Sequence, residues 1–237
     1  MTTLALDTAT PAPSLAVLRD GAVLLERTLP PEPGAGRRIA EEIHLLLSAA
    51  AVDVDDLQAI VVGVGPGGFT GLRIGIATAL GLGQALSIPV TGVVSLEALA
   101  LGMVDHAPLG ALLVPVIDAK RQEVFAAGYR PDGAGRLETV IAPVATTAAG
   151  LAEMLRAVGA TADRPAWLAG DGTSRCAPVL GHAIIAAPEG SPAHVISASR
   201  LALRAADGGG RPVTPLYLRL PDAEVNRLRR EREAARA

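Results

Sequence analysis

The strongest constraint in this chain is the distribution of glycine between residues 63 and 83. The segment reads Gly63-Val64-Gly65-Pro66-Gly67-Gly68-Phe69-Thr70-Gly71-Leu72-Arg73-Ile74-Gly75, and Ala79 and Gly83 extend the series. It follows Ala59 to Val62, a short apolar run that reads as a buried strand, and Phe69 to Leu86 has the length and composition of a helix. Gly71, Gly75, Ala79 and Gly83 recur every four residues and so form one smooth stripe on that helix. An interior glycine costs a helix about 1 kcal/mol relative to alanine. A run of them is tolerated where another backbone comes unusually close. Two readings stay open: the stripe packs on the protein's own sheet, or it faces another helix across a subunit interface, as small-residue stripes do in membranes.

The same segment satisfies G-x-G-x-x-G through Gly63, Gly65 and Gly68, after a strand and before a helix. A dinucleotide site also needs an acidic residue about 20 positions further on. No acidic residue lies between Gly68 and Glu97, and the glycines are not in the first strand–helix unit, so that reading is set aside. A phosphate loop of the lysine-serine type fails too, since neither Lys-Ser nor Lys-Thr follows.

Elsewhere the chain lays out one order of elements twice. Thr3 to Asp7 and Leu15 to Arg19 read as strands, Arg19-Asp20-Gly21 as a hairpin turn, and Ala22 to Thr28 as a third strand. Arg37 to Ala51 carries Ile39, Ile43, Leu46 and Leu47 at helical spacing. Val90 to Val94 reads as a strand, and Ser95 to Leu101 as a helix with Ser95 at its N-cap. After residue 105 the order recurs. Strands are expected at Leu112 to Asp118, Val124 to Tyr129 and Leu137 to Ile141, with a turn at Pro131-Asp132-Gly133. A helix over Thr147 to Val158, a strand at Ala166 to Ala169, a helix over Thr173 to Leu180 and a strand at His182 to Ala186 follow. A last helix opens at Ser191-Pro192 and ends near Gly208-Gly209-Gly210. Three strands followed by alternating helix and strand, twice over, give an α/β protein with two lobes and mixed sheets. The expected division is residues 1–105, residues 106–221 and a charged tail over 222–237.

Composition removes several classes. The 237 residues are 50% hydrophobic with a net charge of −3, which excludes a disordered chain and argues against a dedicated nucleic-acid binder. Cys176 is the only cysteine, so no internal disulfide forms and a reducing, cytoplasmic setting is expected. Asp7 interrupts the first apolar run, which is not the pattern of a signal peptide. Ile74 to Leu96 runs 23 residues without a charge, but Gln84, Ser87, Pro89 and its glycines mark a buried helix and strand rather than a membrane span. The four histidines, His44, His106, His182 and His194, lack the spacing of a helical metal pair, and no nucleophile elbow surrounds a serine. No catalytic residue and no metal ligand is assigned.

The glycine loop resembles that of the bacterial tRNA threonylcarbamoyladenosine biosynthesis protein TsaB family, whose loop is close to GPGSFTGLRIG; here it is GPGGFTGLRIG from Gly65 to Gly75. Further matches keep the same order: LALDTAT at Leu4 to Thr10, VVSLEALA at Val93 to Ala100, DAKRQEVFAA at Asp118 to Ala127, AGDG at Ala169 to Gly172 and PLYLR at Pro215 to Arg219. One departure is Ala35-Gly36, where the family usually opens its first helix with His-Ser. The resemblance implies a two-lobed actin/Hsp70/hexokinase-like (ribonuclease H-like) fold. It also implies a part in attaching threonylcarbamoyl to the tRNA adenosine beside the anticodon. In that system a paralogous subunit, TsaD, performs the transfer, TsaB is its dimerisation partner, and an ATPase, TsaE, joins them. ATP and magnesium would then be used by the complex rather than by this chain, and tRNA would be met through the complex, with no membrane involved.

On this basis the expected partner interface comprises Gly67, Phe69, Thr70, Gly71, Arg73, Gly75, Ala79 and Gly83, with Ile39 and Ile43 from the first helix. Without its partner the same face would form a homodimer. In nucleotide-binding members of such a fold, the ends of the first strand of each lobe face phosphate and metal. Asp7, Thr8 and Thr10, with Asp118 and Lys120, are therefore the candidates for a residual nucleotide site. They would serve the alternative reading, an ATPase or small-molecule kinase built around Asp7 and Asp118.

Overall fold

The computed structural model describes residues 1–31, 38–132 and 136–219. Ala35-Gly36, the charged tail over 222–237 and Gly133 of the expected turn lie outside the described residues. The first sheet takes β1 (Thr2–Asp7), β2 (Ser14–Arg19), β3 (Ala22–Thr28), β4 (Ala59–Gly63) and β5 (Val90–Val93) in the order β3-β2-β1-β4-β5. The β1–β2–β3 pairs are antiparallel, and β4 and β5 join in parallel. The second sheet takes β6 (Leu113–Lys120), β7 (Glu123–Pro131), β8 (Leu137–Thr147), β9 (Ala166–Ala169) and β10 (Ile184–Ala186) in the order β10-β9-β6-β7-β8. Its first three strands are antiparallel and the other two parallel, so the two sheets share one plan.

Strand alternation distributes the core over three apolar layers. On one face of the first sheet Leu4, Leu6, Leu15, Val17, Ile60 and Val62 pack with α1 (Ile39–Ala49) and α2 (Phe69–Leu86). On the outer face of the second sheet Val114, Val116, Val124, Ala126 and Leu168 pack with α4 (Ala148–Ala157) and α5 (Thr173–Leu180). Between the sheets lie α3 (Ser95–Met103) and α6 (Ala198–Arg204), enclosed by Ala5, Ala16, Leu18 and Val61 from one side and Leu113, Ile117, Phe125 and Tyr129 from the other. Small side chains find their use here. Ala5, Ala16, Ala98, Ala100, Ala198 and Ala202 are all buried in this central layer and let two helices fit between two sheets.

The central helices tie the halves together. α3 packs on β6, whereas α6, near the C-terminal end of the described chain, packs on β1 and β2. Glu26 on β3 fixes the start of α6: one carboxylate oxygen accepts from Ser197 Oγ (2.8 Å) and the Ser199 amide (3.2 Å), the other from Ser199 Oγ (2.7 Å). Ser14 Oγ accepts from the Ala198 amide at 3.0 Å. The chain then returns to the first sheet, pairing Arg211 with Gly92 and donating the Leu216 amide to Val64 O. The last segment, expected with the second lobe, thus belongs by its packing to the first.

Two expected elements differ. The helix expected from Ser191 is two: Ser191 caps a single turn, Pro192–His194, and Ser197 then caps α6. A second serine cap interrupts what reads in sequence as one apolar period. The expected strand at His182 starts at Ile184, since Gly181–Ala183 form a 3-10 turn. Among the described residues, no helix is long and apolar enough to cross a membrane.

Candidate functional site

β1 is central in its sheet and buried along its whole length, so Asp7 at its end is drawn into the interior, where it is 1% exposed. Both carboxylate oxygens are engaged. Oδ1 accepts from the Ala9 amide at 2.7 Å and Oδ2 from Ser95 Oγ at 2.6 Å. Ser95 Oγ in turn accepts from the Gly65 amide at 3.1 Å. Ser95 therefore does not cap α3 as expected; its hydroxyl spans the interior to join β1, the glycine loop and α3. Burial pushes the Asp7 carboxyl up to about 6, against the two hydrogen bonds, which favour its ionised form.

The glycines around Asp7 are the reason it fits. A Cβ on Gly63 would overlap the Asp7 carboxylate. Gly67 lies against Ala9 O, Gly71 against Thr8 O, Gly75 against the Thr8 side chain and Gly83 against Val90. Thr8 Oγ1 donates to Gly71 O at 2.7 Å, across the space a side chain would fill. The stripe of Gly71, Gly75, Ala79 and Gly83 is thus occupied by the chain's own strands and the β1–β2 connection. Ile39 and Ile43 are likewise buried beneath α1. Of the residues expected at a partner interface, Gly75, Ala79, Gly83, Ile39 and Ile43 are thus buried against the chain's own elements. What α1 and α2 present outward is Thr70 and Arg73, both from the expected set, together with Leu45 and Leu80, each 44% exposed. Phe69 and Arg73 are held from outside the helix. Tyr217 stacks on Phe69 with ring centres 5.2 Å apart, and Arg73 lies 3.8 Å above the Phe69 ring while its Nε donates to Tyr217 Oη at 3.0 Å. The tyrosine of the PLYLR segment thus fastens the C-terminal strap to the helix that the glycine loop opens.

Asp118, near the end of β6, has a different setting. Its Oδ1 accepts from the Lys120 amide at 2.8 Å and lies 3.2 Å from an Arg175 amine, and its Oδ2 pairs with Lys120 Nζ at 2.9 Å. Burial acts to raise its pKa, but the bonds from Lys120 and Arg175 prevail and hold it below the usual carboxylate range. Asp171, from the loop after β9, accepts the Asp118 amide at 2.9 Å and is pushed up by burial. Lys120, Arg121 and Gln122 all take positive φ in the tight β6–β7 turn. Thr10, the remaining candidate, donates to Ala12 O at 3.2 Å.

A magnesium-bound phosphate needs free carboxylate oxygens on the first lobe. Each oxygen of Asp7 accepts one hydrogen bond, from Ala9 or Ser95, in a residue only 1% exposed, and Thr8 is turned into α2. These first-lobe residues therefore do not present the open oxygens that group needs. Among the described residues, no cluster of three His, Cys, Asp or Glu side chains is arranged to hold a metal ion. Cys176 is buried, and burial raises its thiol to about 11, outside the range of a reactive thiolate. His194 is a fold residue: Nδ1 lies 3.1 Å from the Gly170 amide, and Nε2 3.2 and 3.1 Å from the carbonyls of Ala187 and Pro188. Sequence reasoning missed Ser95, Glu26 and Tyr217, each acting on residues far away in the chain.

Residues 36–173 match the family model described as TsaD: tRNA N6-adenosine threonylcarbamoyltransferase. An uncharacterized protein of Mycobacterium tuberculosis is 37% identical over 94% of either chain. The tRNA threonylcarbamoyladenosine biosynthesis protein TsaB of Bacillus subtilis is 34% identical over 73% of this chain and 72% of its own length. Among solved structures, YeaZ from Pseudomonas aeruginosa superposes with a TM-score of 0.73 at 28% identity, covering 92% of this chain and 99% of the other. At 14% identity and a TM-score of 0.51, covering 88% of this chain and 96% of the other, the activator of 2-hydroxyisocaproyl-CoA dehydratase from Clostridium difficile shares the fold.

Proposed function

The chain belongs to the TsaB family of tRNA threonylcarbamoyladenosine biosynthesis proteins, and from that premise we propose that it serves as a non-catalytic scaffold in a TsaD-containing complex. Its role is in tRNA threonylcarbamoyladenosine biosynthesis. The observation that carries the scaffold reading is the filled first-lobe site. Asp7, which an ATPase or kinase of this fold would turn toward phosphate and metal, is closed in by Ser95, Ala9 and Gly63. The rival reading as an ATPase or small-molecule kinase loses one of its two carboxylates. ATP and magnesium then belong to the complex, whose further members are a TsaE-like ATPase and the tRNA, in the cytoplasm.

The partner meets the outward faces of α1 and α2. Leu45 and Leu80 supply exposed apolar area on neighbouring helices, and Thr70 and Arg73 extend the same surface of α2. Alone, the chain pairs through this face with a second copy. Substitution at Gly75 is a poor probe, because the added side chain meets Thr8 inside the same molecule. Leu80→Glu is the better probe, since the side chain is 44% exposed and a charged head there can reach solvent. The expected result is loss of TsaD co-purification and of the homodimer with an unchanged melting temperature. Reconstituted threonylcarbamoyl transfer to tRNA is expected to require both this chain and TsaD, and to fall with Leu80→Glu. Transfer by this chain alone, or full activity of the variant, overturns the reading.

A further inference from the structure

The second lobe has a concavity that the glycine loop, α1, α2 and the Asp118 turn do not touch. It lies at the opposite end of β6 from Asp118, beside Leu112, and encloses about 380 Å³. That volume falls within the roughly 300–1,000 Å³ typical of small-ligand pockets. Its walls are mostly apolar. Trp167 on β9 and Ile185, its register partner on β10, form one side, and Leu109 stands fully exposed at the lip.

Two arginines, Arg130 at the end of β7 and Arg164 before β9, also line it. Elsewhere in this half of the chain arginines hold carboxylates: Arg136 with Asp132, Arg175 with Asp118, Arg200 with Asp105 and Arg204 with Glu97. Arg130 and Arg164 have no hydrogen-bonded or ionic side-chain partner among the described residues, and no carboxylate lines the cavity there. Glu138 stands opposite Arg130 in the β7–β8 register but is not part of the lining, so the cavity itself presents two guanidinium groups over an apolar floor. Guanidinium groups recognise carboxylates, sulfonates and phosphates with paired, charge-assisted hydrogen bonds. The walls offer nothing comparable to a polar body, but bury an aliphatic or aromatic one.

We propose that this cavity binds an amphipathic organic anion, with its acidic head on Arg130 and Arg164 and its apolar body against Trp167 and Ile185. The site is separate from the surface assigned to the partner, so the two proposals stand or fall independently.

Trp167 is the chain's only tryptophan, so the intrinsic fluorescence of the full chain reports on the cavity directly. Decanoate is the probe, with decanol as its uncharged counterpart. Decanoate is expected to shift the Trp167 emission saturably, with one site per chain, and to bind at least about tenfold more tightly than decanol, as charge-assisted hydrogen bonds require. Arg130→Gln with Arg164→Gln should remove that preference. Ile185→Glu, at a half-exposed position, should abolish decanoate binding while the melting temperature stays unchanged. Equal binding of decanol and decanoate, undiminished binding by the double arginine variant, or a Trp167 emission that does not respond overturns the proposal.

Discussion

Asp7 and Asp118 stand near the ends of equivalent strands in two sheets of the same plan, yet the fold treats them in opposite ways. Asp7 is sealed among a hydroxyl and an amide, with glycine giving it room, and burial raises its pKa to about 6. Asp118 is held by an ammonium and a guanidinium at a partly open turn and stays acidic. The layout of strands fixes where a carboxylate stands; its neighbours decide whether it is a buried structural acceptor or a charged surface group. One lobe has turned the position into a joint of its core and the other has kept it ionic.

The largest test of that contrast lies in the glycines that flank the two acids. Gly63→Val would drive a side chain into the Asp7 carboxylate, with Ser95 Oγ just behind at 2.9 Å. Overpacking together with a broken buried hydrogen-bond network should cost about 4 kcal/mol or more and lower the melting temperature by roughly 10 °C. On the second lobe, a Cβ on Gly172 meets Val124 at 3.1 Å and the Asp118 amide at 3.2 Å, contacts that small shifts relieve. Gly172→Ala should therefore cost about 1 kcal/mol. Thermal melts of the two variants measure the difference directly, and equal losses would erase the distinction.

The second test is pH. An unfolded Asp7 ionises near 3.8 and the folded one near 6, so its stabilising contribution is complete below pH 3.8 and is lost as pH rises through about 6. The gap, at about 1.36 kcal/mol per pKa unit, amounts to about 3 kcal/mol. Measured by denaturant unfolding, wild type should lose most of that, about 2.4 kcal/mol, relative to Asp7→Asn between pH 4 and pH 7. Asp118→Asn should show the opposite sign: the wild-type contribution is present above the ordinary carboxylate value and disappears as pH falls below it. Parallel difference curves for the two variants would contradict the separate roles.

Much of this architecture was legible in the sequence, because it follows from local patterning. The bounds of α2, α5 and β9 and the position of Asp7 at a strand end come from apolar period and turn residues. The contrast between the acids was not legible. Ser95 precedes an apolar run and so reads as a cap, but its hydroxyl goes to a carboxylate 88 residues away. Glu26 reads as one charged residue on an edge strand and in fact holds α6 from 171 residues away. The glycine stripe announces close approach without saying to what; Thr8 and Val90, which fill it, belong to segments apart in sequence. Tertiary hydrogen bonds leave no periodic trace, so the residues that close the first lobe can be found only in three dimensions.

The third test removes the hydroxyl that seals Asp7. Ser95→Ala takes one acceptor from the Gly65 amide and one donor from Asp7 Oδ2, both buried. It should cost about 2 kcal/mol and raise the Asp7 pKa further, since that hydrogen bond favours the carboxylate. The decline in stability with rising pH should then extend to higher pH.

The smallest effect belongs to the other acid. Lys120 is 70% exposed at its side chain, so its ion pair with Asp118 lies in the range of about 0.2–1 kcal/mol measured for exposed pairs. Lys120→Met also carries a Cβ and so leaves the cost of the positive φ unchanged, and it leaves Asp118 with the backbone amide at 2.8 Å and with Arg175. The expected loss is about 0.5 kcal/mol, diminishing as salt screens the pair. Because screening acts on charge and not on packing, the salt dependence separates the two lobes more sharply than the magnitude does. Wild type and Lys120→Met should converge at high ionic strength, while wild type and Ser95→Ala keep their separation. A salt-independent loss of 2 kcal/mol at Lys120 would mean that the second acid, too, is part of a sealed interior joint.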